Sequence, residues 1–245
     1  MTDQRSATTA PTGNSTTATF RPTTPQAPAG EPTVRVSRGL AAWLTANQTS
    51  FACSSYQTGR LFLVGVHPNG NVSVHQQPFA RVMGLWWTPN QLHLASRVQF
   101  WRLENILPPG ELADDQFDVV LVARSGHITG NIDLHEVAID GEGRAVFVNS
   151  AYSCLATLDP IHSFRPIWKP TFISELVPED RCHLNGLALL DGKPKYVTAV
   201  AQTDKADGWH GKPLPRGVLI DVQTDKVVTD ELAMPHSPRV VDGKV

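Results

Sequence analysis

Short runs in which apolar and polar residues alternate, separated by Gly, Pro, Asn and Asp, dominate the chain after about residue 50. Residues 51–56, 61–66 and 72–75 are of this kind, and residues 67–71 form the turn between the last two. Alternation with a period of two is typical of a half-buried β-strand. A helical period is visible only near residues 40–44, where apolar side chains recur on one face. The pattern therefore predicts a β-rich chain that begins with one short helix.

A second and longer period runs through the strand-rich region. Units of strand, turn and strand begin at Gly84, Glu136, Gly186 and Ser237, about 50 residues apart, and the turn is Asp-Gly in the last three. A period of this length with about four strands per unit is typical of a β-propeller blade. A β-sandwich lacks such a long repeat, and accidental similarity is the other alternative. We therefore predict an all-β, β-propeller-like fold with about four blades.

The boundaries of the predicted domain follow from composition. Residues 1–34 are rich in Thr, Ala, Pro and Gly, so they bury too little apolar surface to fold and are predicted to be a disordered tail. Residues 35–245 are predicted to form the partial propeller. Because the last unit stops just after its turn, at residues 244–245, we expect an incomplete ring that is truncated at its C-terminus. Such a ring exposes strand edges and is expected to aggregate.

Charge and cysteine content exclude several classes of protein. Lys and Arg number 21 and Asp and Glu number 23, a formal net charge of −2, whereas nucleic-acid and polybasic membrane-surface binding need a positive field. No apolar run approaches the roughly 18–20 residues that span a bilayer, and no secretory signal is visible. Cys53, Cys154 and Cys182 are odd in number and widely spaced, which predicts reduced, buried thiols. We therefore expect a cytoplasmic protein without nucleic-acid or membrane partners.

Four longer segments carry a family resemblance. Residues 100–105, 126–136, 180–188 and 234–239 resemble the signature segments of a mostly bacterial, conserved hypothetical family that is classed as a domain of unknown function. The resemblance implies a propeller-like domain that extends beyond residue 245, and it implies no established activity.

A shorter resemblance concerns the blade that starts at Asn185. Residues 185–188, followed by Asp-Gly at 191–192 and Tyr-Val at 196–197, are similar to the gluconolactonase and senescence-marker family of six-bladed propellers. In that family, the resemblance implies, such an Asn coordinates a catalytic divalent metal. The chain departs from the pattern in the next blade, where Ser237 stands beside His236 in place of the family's carboxylate.

The starts of the inner strands carry polar residues that could form a site. The innermost strand of each propeller blade lines the central channel, so residues about 50 positions apart converge at one channel mouth. The candidate ligand-binding residues are His135, Glu136, His183, Asn185, His236 and Ser237. Imidazole, carboxylate and amide groups are ligands for divalent metals, and we name Glu136, His183 and Asn185 as candidate metal ligands. The alternative is that the histidines only form hydrogen bonds between neighbouring blades.

Two further candidates lie outside these strand starts. Arg124, with His127 and Asp133, could clamp an anionic ligand through its planar guanidinium, or it could form a structural salt bridge. Trp209 lies on a predicted loop over residues 203–215, where it could stack on a sugar or other ring at the channel mouth, or cap the core.

These candidates leave three functional hypotheses. The first is an uncharacterised propeller that binds a small ligand or a protein partner at its channel mouth. The alternatives are a metal-dependent hydrolase of lactones or esters, with a divalent metal as cofactor, and a fragment without autonomous activity. The sequence contains no phosphate-binding loop, no dinucleotide-binding glycine motif and no histidine pair at the metalloprotease spacing.

Overall fold

The computed structural model describes residues 34–211 and 216–245, so the predicted disordered tail lies outside the described residues except for its last position. The described residues form one helix and fifteen strands. In chain order they are α1 (Leu40–Ala46), β1 (Phe51–Ser55), β2 (Arg60–Val66), β3 (Val72–Pro78), β4 (Leu85–Thr88), β5 (Gln91–Ala95), β6 (Gln99–Asn105), β7 (Leu121–Ile128), β8 (Leu134–Ile139), β9 (Ala145–Asn149), β10 (Cys154–Thr157), β11 (Arg165–Trp168), β12 (Leu184–Leu190), β13 (Lys193–Ala199), β14 (Gly217–Asp221) and β15 (Lys226–Leu232).

The strands form four antiparallel sheets, each of which follows the chain from one edge to the other. The first sheet is β1-β2-β3, and the next three are β4 to β7, β8 to β11 and β12 to β15. The first strands of successive sheets are in contact: β1 with β4, β4 with β8, and β8 with β12. The four sheets are therefore the blades of a β-propeller with their first strands innermost, which confirms the predicted fold class.

The apolar core lies between neighbouring blades. Leu61, Leu92 and Leu103 are buried together between the first and second sheets. Phe100, Leu134 and Phe147 fill the space between the second and third, and a larger group, Val146, Val148, Leu155, Leu184, Leu187, Val197, Val218 and Ile220, fills that between the third and fourth. Alternating strand residues supply these side chains, as expected for sheets that pack face to face.

Tight Asp-Gly turns close the inner hairpins of the third and fourth blades. The carboxylate of Asp140 accepts the backbone N–H groups of Glu142 and Arg144, at 2.9 and 2.8 Å, which fixes the β8–β9 turn. The N–H of Gly141 donates to the carbonyl of Gly192 in the β12–β13 turn at 2.7 Å. A Cβ atom on Gly192 would lie 2.7 Å from the Cα of Gly141, so this direct contact between blades requires glycine.

The structure corrects which segments make up the four repeat units. The units predicted at Gly84, Glu136 and Gly186 coincide with the inner strands β4, β8 and β12, but the described residues after Ser237 form no sheet, only an isolated bridge between Val241 and Lys244. The fourth blade is instead the first sheet, β1 to β3. The 50-residue period did not reveal this blade, because it has three strands and therefore a shorter spacing to the next blade.

Ser237 nevertheless occupies the position that the 50-residue repeat predicts for it. A Cβ atom on Gly84 would lie 2.8 Å from the Cα of Glu136, its equivalent in the next unit. In the same way, a Cβ atom on Gly186 would lie 2.9 Å from the backbone nitrogen of Ser237. The segment Met234–Arg239, which we call the return segment, therefore runs beside β12 as an inner strand of a neighbouring blade does. The expected truncation of the ring stays a prediction.

Two local predictions were wrong in part. Of the apolar residues near 40–44, Leu44 is buried and Leu40 and Ala41 are half-buried, but Trp43 is 56% exposed. Cys53 is exposed on the inner edge strand of the first sheet, whereas Cys154 and Cys182 are buried as predicted. Among the described residues, no helix is long and apolar enough to cross a membrane.

Candidate functional site

Three histidine side chains from distant parts of the chain meet at the starts of the inner strands. His135 is the second residue of β8, His183 directly precedes β12, and His236 lies in the return segment. One ring nitrogen from each lies within 4.8 Å of those of the other two. The rings of His135 and His183 are perpendicular with centroids 4.8 Å apart, and the centroid of His236 is 6.3 Å from that of His135. The structure thus brings together the three histidines of the predicted site, which we call the histidine cluster.

A carboxylate orients His183 within the cluster. The Nδ1 atom of His183 lies 2.8 Å from Oδ2 of Asp180. Because an ionised carboxylate only accepts, Nδ1 carries a proton, and in the neutral imidazole Nε2 is then the atom with the free lone pair. The backbone of both residues is left-handed, with φ of 49° at His183 and 42° at Asp180, so a tight loop before β12 creates this contact. A carboxylate behind a histidine is the usual arrangement around a metal-ligating imidazole.

Backbone and amide groups orient His236. Its Nδ1 atom donates to the carbonyl of Met234 at 2.8 Å, so Nε2 is the acceptor in the neutral imidazole. The side-chain amide of Asn185 points its nitrogen at this Nε2, at 3.4 Å, while its oxygen accepts the hydroxyl of Thr198 at 2.6 Å. The amide oxygen of Asn185 is therefore already used within the fold. The amide nitrogen would have to leave Nε2 before His236 could bind a metal through that atom. The role of Asn185 as a metal ligand stays a prediction.

The side chain of His135 is largely enclosed, with 14% of its surface exposed. Burial lowers the pKa of His135 to about 4, the neighbouring Asp133 opposes this shift, and His183 and His236 add to it. The ring is thus neutral near pH 7, the form that binds metals. Its Nδ1 atom is buried without a hydrogen-bond partner among the described residues, as is Oδ1 of Asp180. Unsatisfied buried polar atoms are costly, so both atoms have capacity for an additional partner.

Glu136 and Ser237 lie at one side of the cluster. The carboxylate of Glu136 is buried and faces the guanidinium of Arg239 in a fork-to-fork pair, with N–O distances of 3.3 and 3.5 Å. Burial raises the pKa of Glu136, and Arg239 partly opposes that shift. Ser237 has a left-handed backbone, with φ of 47°, and packs against Gly186. This packing places the preceding His236 over the inner strands.

The structure does not bring Arg124 to the cluster. Arg124 lies on β7, the outermost strand of the second blade, and its Nε atom is 3.7 Å from Glu104. His127 of the same strand contacts the carbonyl of Ser163 at 3.0 Å. Asp133, in contrast, lies just before the innermost strand β8. The predicted grouping of Arg124 with His127 and Asp133 is wrong, because the chain crosses from the rim to the centre of the propeller between them.

Trp209 covers the histidine cluster from a loop. Its indole stacks on His183 with a centroid distance of 4.0 Å, and its Nε1 donates to Oδ2 of Asp180 at 2.9 Å. The centroid of the His210 ring lies 3.6 Å from that of the indole, with the two planes tilted by 31°. One face of Trp209 is thus used by His183, and the stacking of Trp209 on a ligand ring stays a prediction. Part of the predicted loop, residues 212–215, lies outside the described residues.

Two residues near the cluster were missed by sequence reasoning. Asp180 stands three residues before His183, a spacing that could have signalled the contact. Arg81 lies between the first two blades, and its guanidinium contacts Asp133 at 3.4 Å. Nothing in the repeat pattern marks Arg81, because it lies in a connection between blades rather than in a strand.

The fold and the cluster define this chain as a β-propeller protein with a three-histidine centre at the starts of its inner strands. It belongs to the family described as "Domain of unknown function (DUF4915)", which matches residues 38–245, so the predicted resemblance to a family of unknown function is confirmed. No curated protein matches the chain. The bacterial source and the similarity to gluconolactonases stay predictions.

Proposed function

We propose that the protein binds a divalent transition metal through His135, His183 and His236, and through that metal a small ligand at the mouth of the propeller. The observation that carries this proposal is the mutual approach of three imidazole nitrogens to within 4.8 Å. Imidazole suits zinc, copper, iron and nickel. Three protein ligands also leave one coordination position open, as in catalytic zinc sites.

The surroundings of the three rings support the proposal. His183 and His236 each donate Nδ1–H to an oxygen, of Asp180 and of the Met234 carbonyl, so Nε2 is the nitrogen that each neutral ring offers to a metal. Such outer contacts orient ligands and raise their basicity. His135 is held neutral by burial, so no proton has to leave it before a metal binds near pH 7. Of the metal ligands predicted from sequence, only His183 is part of this set.

Zinc binding to the purified, chelator-treated chain tests the proposal. We expect one zinc ion per chain by calorimetry, with affinity at least 100-fold lower in His183→Gln and in His236→Gln, because substitutions of outer contacts alone cost about 10–100-fold. The matched control is His162→Gln. His162 faces Asp159 three residues before it, at 3.2 Å, but lies on an exposed loop.

The outcomes separate a specific site from adventitious binding. Unchanged zinc binding in His162→Gln together with loss in the two cluster variants supports the site. If the wild-type chain takes up no zinc, or if His162→Gln loses affinity as the cluster variants do, the proposal is wrong.

A metal-dependent hydrolase of lactones or esters is the second candidate. Glu136 favours it, because this carboxylate is buried beside His236 with a raised pKa, and a general base works best with a pKa closer to the operating pH. The test is hydrolysis of δ-gluconolactone and of an activated ester by the zinc-loaded chain. Glu136→Gln is expected to keep zinc and lose turnover. Equal rates with and without zinc would exclude this candidate and leave metal-dependent ligand binding.

A further inference from the structure

We propose that the metal-loaded site takes a small ligand that bears a carboxylate, and that Arg81 anchors this carboxylate. The inference rests on the proposed metal site and adds to it the chemical class of the ligand and a residue that determines specificity. It is carried by the position of Arg81, by its single polar contact and by the charges around the histidine cluster.

Arg81 reaches the site from the connection between the first and second blades. Its backbone is left-handed, with φ of 51°, a conformation that is uncommon for a non-glycine residue. Its guanidinium lies over the ring of Tyr56, 5.0 Å from the centroid, which holds the plane of the group in place. The side chain is 36% exposed, so it is accessible from solvent.

A single carboxylate separates Arg81 from the histidine cluster. One oxygen of Asp133 contacts the guanidinium of Arg81 at 3.4 Å, and the other lies 3.7 Å from Nδ1 of His135. Asp133 also has a left-handed backbone, with φ of 50°. The carboxylate of Asp133 therefore links the guanidinium of Arg81 to a member of the histidine cluster, which places Arg81 at the edge of the proposed site.

The N–H donors of Arg81 and Arg239, the two arginines that contact carboxylates beside the histidine cluster, are used differently. Arg239 faces both oxygens of Glu136 and also donates to the carbonyl of Pro238. The side chain of Arg81 makes one hydrogen bond among the described residues, to Asp133. A guanidinium has five N–H donors in a planar fork that matches a carboxylate. Arg81 thus retains more donors for an additional carboxylate than Arg239, which makes three hydrogen bonds.

The charge balance of the loaded site favours an anion. Asp133, Glu136 and Asp180 supply three negative charges, and Arg81 and Arg239 supply two positive ones. A divalent cation held by uncharged imidazoles makes the sum one positive charge. A monoanionic group at the open coordination position neutralises it, and a charge-assisted contact with a guanidinium is stronger than a neutral one.

Binding of malonate to the zinc-loaded full chain tests this inference, with malonamide as the uncharged probe of similar shape. We expect malonate to bind at least tenfold more tightly than malonamide. Arg81→Gln should lower malonate affinity at least tenfold with unchanged zinc stoichiometry, and Arg81→Lys, which keeps the charge but not the fork, should lie between. Arg124→Gln is the matched control, because Arg124 is a partly exposed arginine paired with a carboxylate away from the cluster.

Each other outcome overturns a defined part of the inference. Equal affinity for malonate and malonamide, or tighter binding of inorganic phosphate, overturns the carboxylate class. An equal loss in Arg124→Gln shows a general charge effect, and loss of zinc in both Arg81 variants shows a structural role through Asp133, so either overturns the anchoring role. If the wild-type chain takes up no zinc, the proposed metal site itself has failed. Thermal unfolding of both Arg81 variants verifies that they are folded.

Discussion

The contact between the inner strands β4 and β8 depends on one residue without a side chain. A Cβ atom on Gly84 would lie 2.7 Å from the nitrogen of Val137, 2.8 Å from the Cα of Glu136 and 2.8 Å from the carbonyl oxygen of His135. All three are backbone atoms, so no side-chain rotation can make room. Gly84 is outside the left-handed region, and the cost of Gly84→Ala therefore comes from overpacking alone, about 1–3 kcal/mol.

Thermal and urea-induced unfolding measure this cost. For a domain of this size, 1 kcal/mol shifts the Tm by about 2–4 °C, so Gly84→Ala is expected to lower the Tm by roughly 2–12 °C. The matched control is Gly126→Ala in β7, where the new Cβ would meet the ring of Trp101 at an ordinary 3.4 Å. The control should change the free energy of unfolding by less than about 0.5 kcal/mol.

The same variant affects the histidine cluster, because the displaced carbonyl belongs to His135. We expect Gly84→Ala to weaken zinc binding while Gly126→Ala leaves it unchanged. If Gly84→Ala is as stable as Gly126→Ala and binds zinc equally well, then β4 and β8 do not pack as described, and the positions of the site residues lose their structural basis.

Three further predictions concern titration, the core and the outer contacts of the site. Without metal, the unfolded chain takes up a proton at His135 below about pH 6.5, whereas the folded chain takes it up only near pH 4. As the pH is lowered through that window, the free energy of unfolding should therefore fall by up to about 1.4 kcal/mol per pH unit. Urea titrations in which His135→Asn keeps the same slope would contradict this. Phe147→Ala, at a fully buried position, should cost about 3–5 kcal/mol, against less than about 0.5 for Ile161→Ala at an 84% exposed one, and equal urea midpoints would refute the described core. Asp180→Asn should lower zinc affinity about 10–100-fold in calorimetry, and an unchanged affinity would show that Asp180 does not orient a ligand.

The convergence of the histidines could be predicted from sequence because it depends on the repeat. Equal units put equivalent positions at the same end of each inner strand, so the spacing alone predicts that His135 and His183 lie together. The first blade was missed for the same reason, since β1 to β3 lack a fourth strand and do not share the period. Patterns of equal spacing thus predict the centre of a propeller better than its irregular blade.

The partners of the histidines could not be predicted, because they lie in loops. Asp180 and Arg81 both have left-handed backbones, and that conformation leaves no periodic signal in the sequence. Proximity along the chain was also misleading for Arg124, which is close to Asp133 in sequence but lies at the outer edge of its blade. The stacking of Trp209 on His183 depends on the path of a loop that no local rule determines.

Anomalous diffraction at the zinc edge, from crystals of the zinc-loaded chain, measures the position of the ion directly. We expect one strong peak about 2.0–2.1 Å from a nitrogen of each of His135, His183 and His236, the usual zinc–imidazole distance. A peak bound instead by Asp133 and Asp180, a peak elsewhere on the molecule, or no peak at all would contradict a three-histidine metal centre.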